Sequence, residues 1–149
     1  MASLSSVQIY LAVRNQDERS HMEDHLVLDG ANVSAFKNAQ ELWACFQTRP
    51  VRFIITDRKF GGDFGGLDLT RRIRKNFGLP YVYILMRGVM GQLKEIQEGL
   101  STGVDDYLIK PHNPFQIRSR VLVEMRWLTY IDSLTTGAGK KTTPAPKPV

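Results

Sequence analysis

Two charged residues close two short apolar runs. Asp57 ends Arg52-Phe53-Ile54-Ile55-Thr56-Asp57, and Lys110 ends Asp106-Tyr107-Leu108-Ile109-Lys110, fifty-three positions later. If both runs are parallel strands, the carboxylate and the ammonium meet at one edge of a sheet, where open α/β folds keep their chemistry. A carboxylate there can act as a nucleophile, with the ammonium neutralising the charge of an anionic reaction partner.

The elements that would position this pair can be read from periodicity. Residues 7–13, 32–36, 52–56, 81–86 and 107–109 have strand length and β-branched or aromatic content. Between and after them, Leu69, Ile73 and Phe77 recur at helical spacing, as do Leu93, Ile96 and Leu100, and then Ile117, Val121, Met125 and Leu128. Asn38, three residues before Glu41, is a predicted N-cap, and Gly30, Gly78 and Gly103 stand where helices should stop. Strict β-α alternation predicts a parallel sheet with helices on both faces. With right-handed crossovers this is a five-stranded, doubly wound α/β fold.

Composition sets the outer limits. At 149 residues and 42% hydrophobic content, the chain is long enough for one domain with a core. No apolar run approaches the roughly 20 residues of a membrane span, and the N-terminus has no signal-peptide layout, so a cytoplasmic protein without membrane contact is expected. Cys45 is the single cysteine, which excludes an intrachain disulfide and reads as a small core residue. Three charges of the net +5 come from Lys140, Lys141 and Lys147. They lie in a small, polar, Pro-rich tail with no aromatic residue to stack on bases, which argues against nucleic acid. The expected organisation is a disordered 1–6, a folded 7–134 and a disordered tail or linker at 135–149.

Asp57 after an apolar strand, the block Gly103-Val104-Asp105-Asp106-Tyr107-Leu108-Ile109-Lys110-Pro111 and the βα count together resemble the receiver domain of two-component response regulators. The resemblance covers about residues 7–130. It implies a flavodoxin-like (βα)5 fold with strand order 2-1-3-4-5, and a signalling module rather than an enzyme. It further implies Asp57 as phospho-acceptor, Lys110 as the phosphate-contacting lysine, Tyr107 as an aromatic switch residue and a cis Lys110-Pro111 peptide. The implied partners are a sensor histidine kinase or phosphotransfer protein and a downstream protein effector, with a homodimer through helix 4, strand 5 and helix 5 compatible with the mixed charge there. Arg126-Trp127-Leu128-Thr129-Tyr130-Ile131-Asp132-Ser133-Leu134-Thr135 also resembles the junction between receivers and diguanylate cyclase domains.

The departures from the family pattern fall at the pocket. Where an acidic pair would help hold Mg²⁺, this chain has Arg14 and Asn15, leaving Asp57, the Asn15 oxygen and either Asp17 or Glu18 as the remaining ligands and making Mg²⁺ binding doubtful. At the usual hydroxyl position after strand 4 stands Gly88, which removes the hydroxyl that would couple phosphate to Tyr107. Arg58, Lys59 and Arg87 are placed at the pocket rim. Arg14 is expected to take the metal's place and pair with Asp57. His21 and His25, spaced i, i+4, are read as a polar helix face rather than a zinc pair, because no third ligand is visible. His112 is placed at the rim, and Trp43 and Trp127 are read as packing residues. Two functions follow from these residues: a receiver with atypical or impaired Mg²⁺-dependent phosphorylation, or a pseudo-receiver that acts as a phosphorylation-independent interaction module. A nucleotide-binding flavodoxin-like protein would need a phosphate loop after strand 1, and Arg14-Asn15-Gln16-Asp17 is not one.

Overall fold

Short apolar strands alternate with helices along the chain: β1 (Gln8–Ala12), α1 (Gln16–Leu28), β2 (Asn32–Phe36), α2 (Ala39–Thr48), β3 (Phe53–Asp57), α3 (Gly66–Asn76), β4 (Tyr83–Val89), α4 (Leu93–Thr102), β5 (Asp106–Lys110) and α5 (Pro114–Thr135). This computed structural model describes Leu4 and residues 7–78, 80–89 and 93–135. The strands form one parallel sheet in the order β2-β1-β3-β4-β5. It is the doubly wound parallel sheet that the alternation predicted, in the flavodoxin-like order that the resemblance implied.

Successive side chains of a strand face opposite sides of the sheet, and the two cores divide accordingly. Ile9, Leu11, Phe53, Ile55, Leu85 and Leu108 pack against Met22 and Leu26 of α1 and Val121 and Leu128 of α5. Tyr10, Ala12, Ile54, Ile84, Met86 and Tyr107 pack on the other face against α2 and α3, through Leu42, Phe46, Leu69 and Ile73. Each fully buried aliphatic side chain contributes about 1.5–3 kcal/mol.

The element ends follow local chemistry. Asn38 caps α2 by accepting the Glu41 amide at 2.8 Å, as its spacing predicts. Asn15 caps α1 in the same way, accepting from the Glu18 amide at 2.9 Å. Gly30 and Gly103 follow α1 and α4 with φ of 103° and 121°, and Gly78 lies just beyond the Phe77 cap of α3. Trp43 lies in the core, and Trp127 stacks on Tyr130 along α5.

Several boundaries differ from expectation: β4, expected over 81–86, spans Tyr83–Val89 and so takes in Arg87 and Gly88. Leu4, inside the stretch expected to be disordered, is fully buried, and its amide donates to the Asp29 carbonyl at 2.7 Å. Its side chain completes the core beneath α1, which a polar flanking sequence does not announce. At the other end α5 runs through Thr135, one residue into the expected tail. The rest of 1–6 and all of 136–149 lie outside the described residues. Among the described residues, no helix is long and apolar enough to cross a membrane.

Candidate functional site

Strand register builds the site. In the β3–β4 ladder Asp57 stands opposite Arg87, and both continue the rows of Ile55 and Leu85 on the face covered by α1 and α5. Their side chains therefore meet at the carboxyl edge of the sheet. Arg87 Nε donates to Asp57 Oδ1 at 2.8 Å, and Nη2 lies 2.6 Å from the same oxygen. Both residues are 2% exposed.

The rest of the shell comes from the β1–α1 and β5–α5 connections and the element ends beside them. The backbone amide of Arg14, just after β1, donates to Asp57 Oδ2 at 2.9 Å. Lys110 Nζ, at the end of β5, is 3.6 Å from Oδ1. Arg87 also reaches Glu18 Oε1 on the first turn of α1 at 2.9 Å and His112 Nε2 at 3.0 Å. Because a guanidinium only donates, His112 Nε2 accepts, and the ring is neutral. Burial, then the charge of Arg87, pushes the His112 pKa below its ordinary value. The hydrogen bond from Arg87 holds the Glu18 carboxyl below its ordinary value. A cleft of about 420 Å³, lined by Glu18, His21, Arg87, Lys110 and His112 among others, opens beside this network.

The expectation that Arg14 pairs with Asp57 is corrected. Its backbone reaches the carboxylate, but its guanidinium lies against Gly61 in the β3–α3 loop. The chain leaving β1 turns its amide toward Asp57, so the side chain departs in another direction. Arg87, expected at the rim, is the buried counter-ion. Residue alternation carried a signal for this, since Arg87 is two positions beyond Leu85 and one strand away from Asp57.

The other candidates fall into two groups. Asn15 caps α1, Asp17 is exposed on the first turn, and Lys59 lines the open cleft near Arg14. Arg58 lines a small cleft beside Lys59, Arg87 and Lys110, while its guanidinium bonds the Glu95 carbonyl at 3.0 Å and pairs with the carboxylates of Glu95 and Glu98, so it braces α4. Lys110-Pro111 is cis, as the resemblance implied. Tyr107 is buried against Gly88 and Gly99, and its hydroxyl has no hydrogen-bond partner among the described residues. Burial raises its pKa, against the pull of the neighbouring Arg58 guanidinium. Gly66 is required where α3 starts, because a Cβ there would run into the Asp57 carbonyl. His21 and His25 lie side by side on α1 with ring centroids 4.9 Å apart.

These residues do not fit a divalent cation. Each Asp57 oxygen already accepts a hydrogen bond, Oδ1 from a cation, and the Asn15 oxygen is taken by the Glu18 amide. Among the described residues no group of three or more His, Cys, Asp or Glu side chains converges on a metal position.

The sequence matches the response regulator receiver domain family over residues 14–122. It is 30% identical over 125 residues to Protein PetR of Rhodobacter capsulatus, covering 83% of this chain and 51% of that protein. It is 34% identical over 109 residues to the transcriptional regulatory protein AruR of Pseudomonas aeruginosa, covering 68% and 42% respectively. The chain thus spans about half the length, or less, of these relatives. Among solved structures, a CheY-like receiver domain protein from Methanospirillum hungatei superposes with a TM-score of 0.76 at 20% identity, covering 84% of this chain and 98% of that one. A structure described as a probable two-component system response regulator/GGDEF domain protein gives 0.77 at 19% identity, with 83% and 51% covered. The chain belongs to the response regulator receiver domain family.

Proposed function

We propose that this chain is a receiver-type signalling module in which Asp57 is the phospho-acceptor position and Mg²⁺-dependent phosphorylation is impaired. The observation that carries this reading is the buried Arg87–Asp57 ion pair, 2.6 Å between Nη2 and Oδ1, in a pocket where, among the described residues, no three His, Cys, Asp or Glu side chains converge on a metal position. In the transfer, an Asp57 oxygen forms a bond to phosphorus while the P–N bond of a phosphohistidine breaks and the leaving imidazole takes a proton from solvent. Lys110, close to Oδ1, is suited to neutralise the incoming oxygens. The implied donors are a histidine kinase or phosphotransfer protein in the cytoplasm, and the implied output is a protein effector or a second copy bound at α4, β5 and α5.

A second reading, a phosphorylation-independent interaction module, is favoured by Tyr107. Its ring already fills the space that a side chain at position 88 would take, so the face formed by α4 and β5 has one packed arrangement without any modification.

Incubation with acetyl phosphate, with and without Mg²⁺, followed by intact-mass measurement, tests the first reading. Slow labelling that is indifferent to Mg²⁺ and absent in Asp57→Ala supports it. Fast, strictly Mg²⁺-dependent labelling overturns the impairment, and no labelling at all favours the interaction module.

A further inference from the structure

Arg87 spends its donors unevenly. Its guanidinium donates from Nε to Asp57 Oδ1, from Nη2 to Glu18 Oε1 and from Nη1 to His112 Nε2. Nη2 also lies 2.6 Å from Asp57 Oδ1, so it stands between two carboxylates, with Glu18 Oε1 at 2.9 Å. The two seats differ in their surroundings. Asp57 is buried, whereas the Glu18 side chain is 44% exposed at the mouth of the cleft.

The outer seat is a fixed one. Glu18 is the third residue of α1, where the helix dipole favours a negative charge. A glutamate at that position commonly folds back onto the N-cap amide, but the hydrogen bond shown for this carboxylate goes to Arg87 instead. Arg19 ties the turn before it, donating to the Val13 carbonyl at 2.7 Å, and the Asn15 cap holds the Glu18 amide. His112, accepting from Nη1, holds a third corner of the guanidinium.

We infer that Glu18 is a positioning residue for Asp57: it is the second seat of the Arg87 guanidinium, and Asp57 accepts a phosphoryl group while Arg87 is drawn onto it. This rests on Asp57 being the phospho-acceptor. With Arg87 on Asp57, both carboxylate oxygens are engaged and the nucleophile is neutralised. With Arg87 on Glu18, Oδ1 is released, Lys110 and the Arg14 amide stay in place, and the arginine remains close enough to meet the new phosphate. An Asp57 oxygen then forms the O–P bond as the P–O bond of acetyl phosphate to acetate breaks and acetate leaves with the electron pair.

The test is a double-mutant cycle read in two ways: the initial rate of acetyl phosphate labelling of Asp57, and the ¹³C NMR chemical shift of its side-chain carboxyl at one fixed pH. Glu18→Gln keeps the shape and loses the charge, so folding is preserved. It should slow labelling about tenfold or more, the scale of one charge-assisted hydrogen bond, and move the Asp57 carboxyl ¹³C signal. In the Arg87→Met background, Glu18→Gln should change neither quantity, whereas a purely through-space or structural role of Glu18 would persist there. Labelling that is unchanged or faster in Glu18→Gln overturns the inference, as does an equal effect in both backgrounds. If no variant is labelled, the phospho-acceptor reading fails and the positioning role with it, while the cycle in the carboxyl chemical shift still decides whether Arg87 has two seats.

Discussion

Tyr107 and Gly88 share one volume. An ideal Cβ placed on Gly88 would stand 2.9 Å from both Cε1 and Cζ of the Tyr107 ring and closer still to its hydroxyl, distances that real Cβ atoms do not show. The ring is packed on its other edge against Gly99, where a Cβ would meet Cδ2 and Cε2 at 3.3 Å. Two glycines therefore make the slot that Tyr107 fills.

Gly88→Ala should displace the ring or strain the slot. The expected cost is about 1–3 kcal/mol in urea unfolding, the range for overpacking a filled core. A selective rise in the solvent accessibility of Tyr107, read by tyrosine iodination and mass mapping, should accompany it. Unchanged stability with an unchanged Tyr107 would show that the slot is not tight.

Breaking the ion pair from either side should be costly. Asp57→Ala leaves Arg87 buried, and Arg87→Met leaves Asp57 buried, so each should lose up to about 3–5 kcal/mol. Glu18 and Lys110 remain as second partners, which puts both losses toward the low end. The double variant should lose less than the sum of the two, because no unpaired charge is left inside. Chemical denaturation of the four proteins measures this.

Acid should act in two steps. The folded His112 pKa is lowered, so the unfolded chain takes up the proton first as pH falls below the ordinary 6.5, and stability declines from there downward. Burial drives the shift, the charges of Arg87 and Lys110 add to it and Glu18 opposes it. Glu18 is also lowered, from 4.5, so the stability it contributes is present above that value and is lost as pH falls through its folded pKa. His112→Gln should flatten the upper step only, and Glu18→Gln the lower. Thermal melts at a series of pH values separate the two.

Arg58 should control the order of α4. It is the residue after Asp57, its amide donates to the Arg87 carbonyl at 3.0 Å, and its guanidinium holds Glu95 and Glu98. Arg58→Ala should speed amide exchange in residues 93–102 about tenfold, the scale of a lost charged hydrogen bond, and leave β3 protected. Hydrogen exchange with peptide mapping reads it.

Leu4→Ala should destabilise the protein by about 2–5 kcal/mol, the cost of emptying a buried leucine site. A loss below 1 kcal/mol would mean that residues before β1 contribute little to the core.

The amino-acid sequence by itself determined the architecture and the end positions of its chemistry. Period-2 and helical patterning are local consequences of backbone geometry, so β3, α3 and α5 could be read from Ile54, Leu69 or Val121 without knowing their neighbours. Strand ends are local too, which is why Asp57 and Lys110 could be brought to one sheet edge in advance. Asn38 as a cap needed only its spacing to Glu41. The tertiary structure alone decided which cation meets Asp57. Arg14, Arg58, Lys59, Arg87 and Lys110 all lie near the same edge, and the choice among them depends on how the β3 and β4 rows align and where the backbone turns after β1. That register sends Arg87 inward, leaves Arg14 only its amide, and sends Arg58 to α4. Leu4 follows the same logic, because its burial is set by the shape of the core beneath α1. Burial and charge pairing are properties of neighbours distant along the chain, and only the folded chain brings those neighbours together.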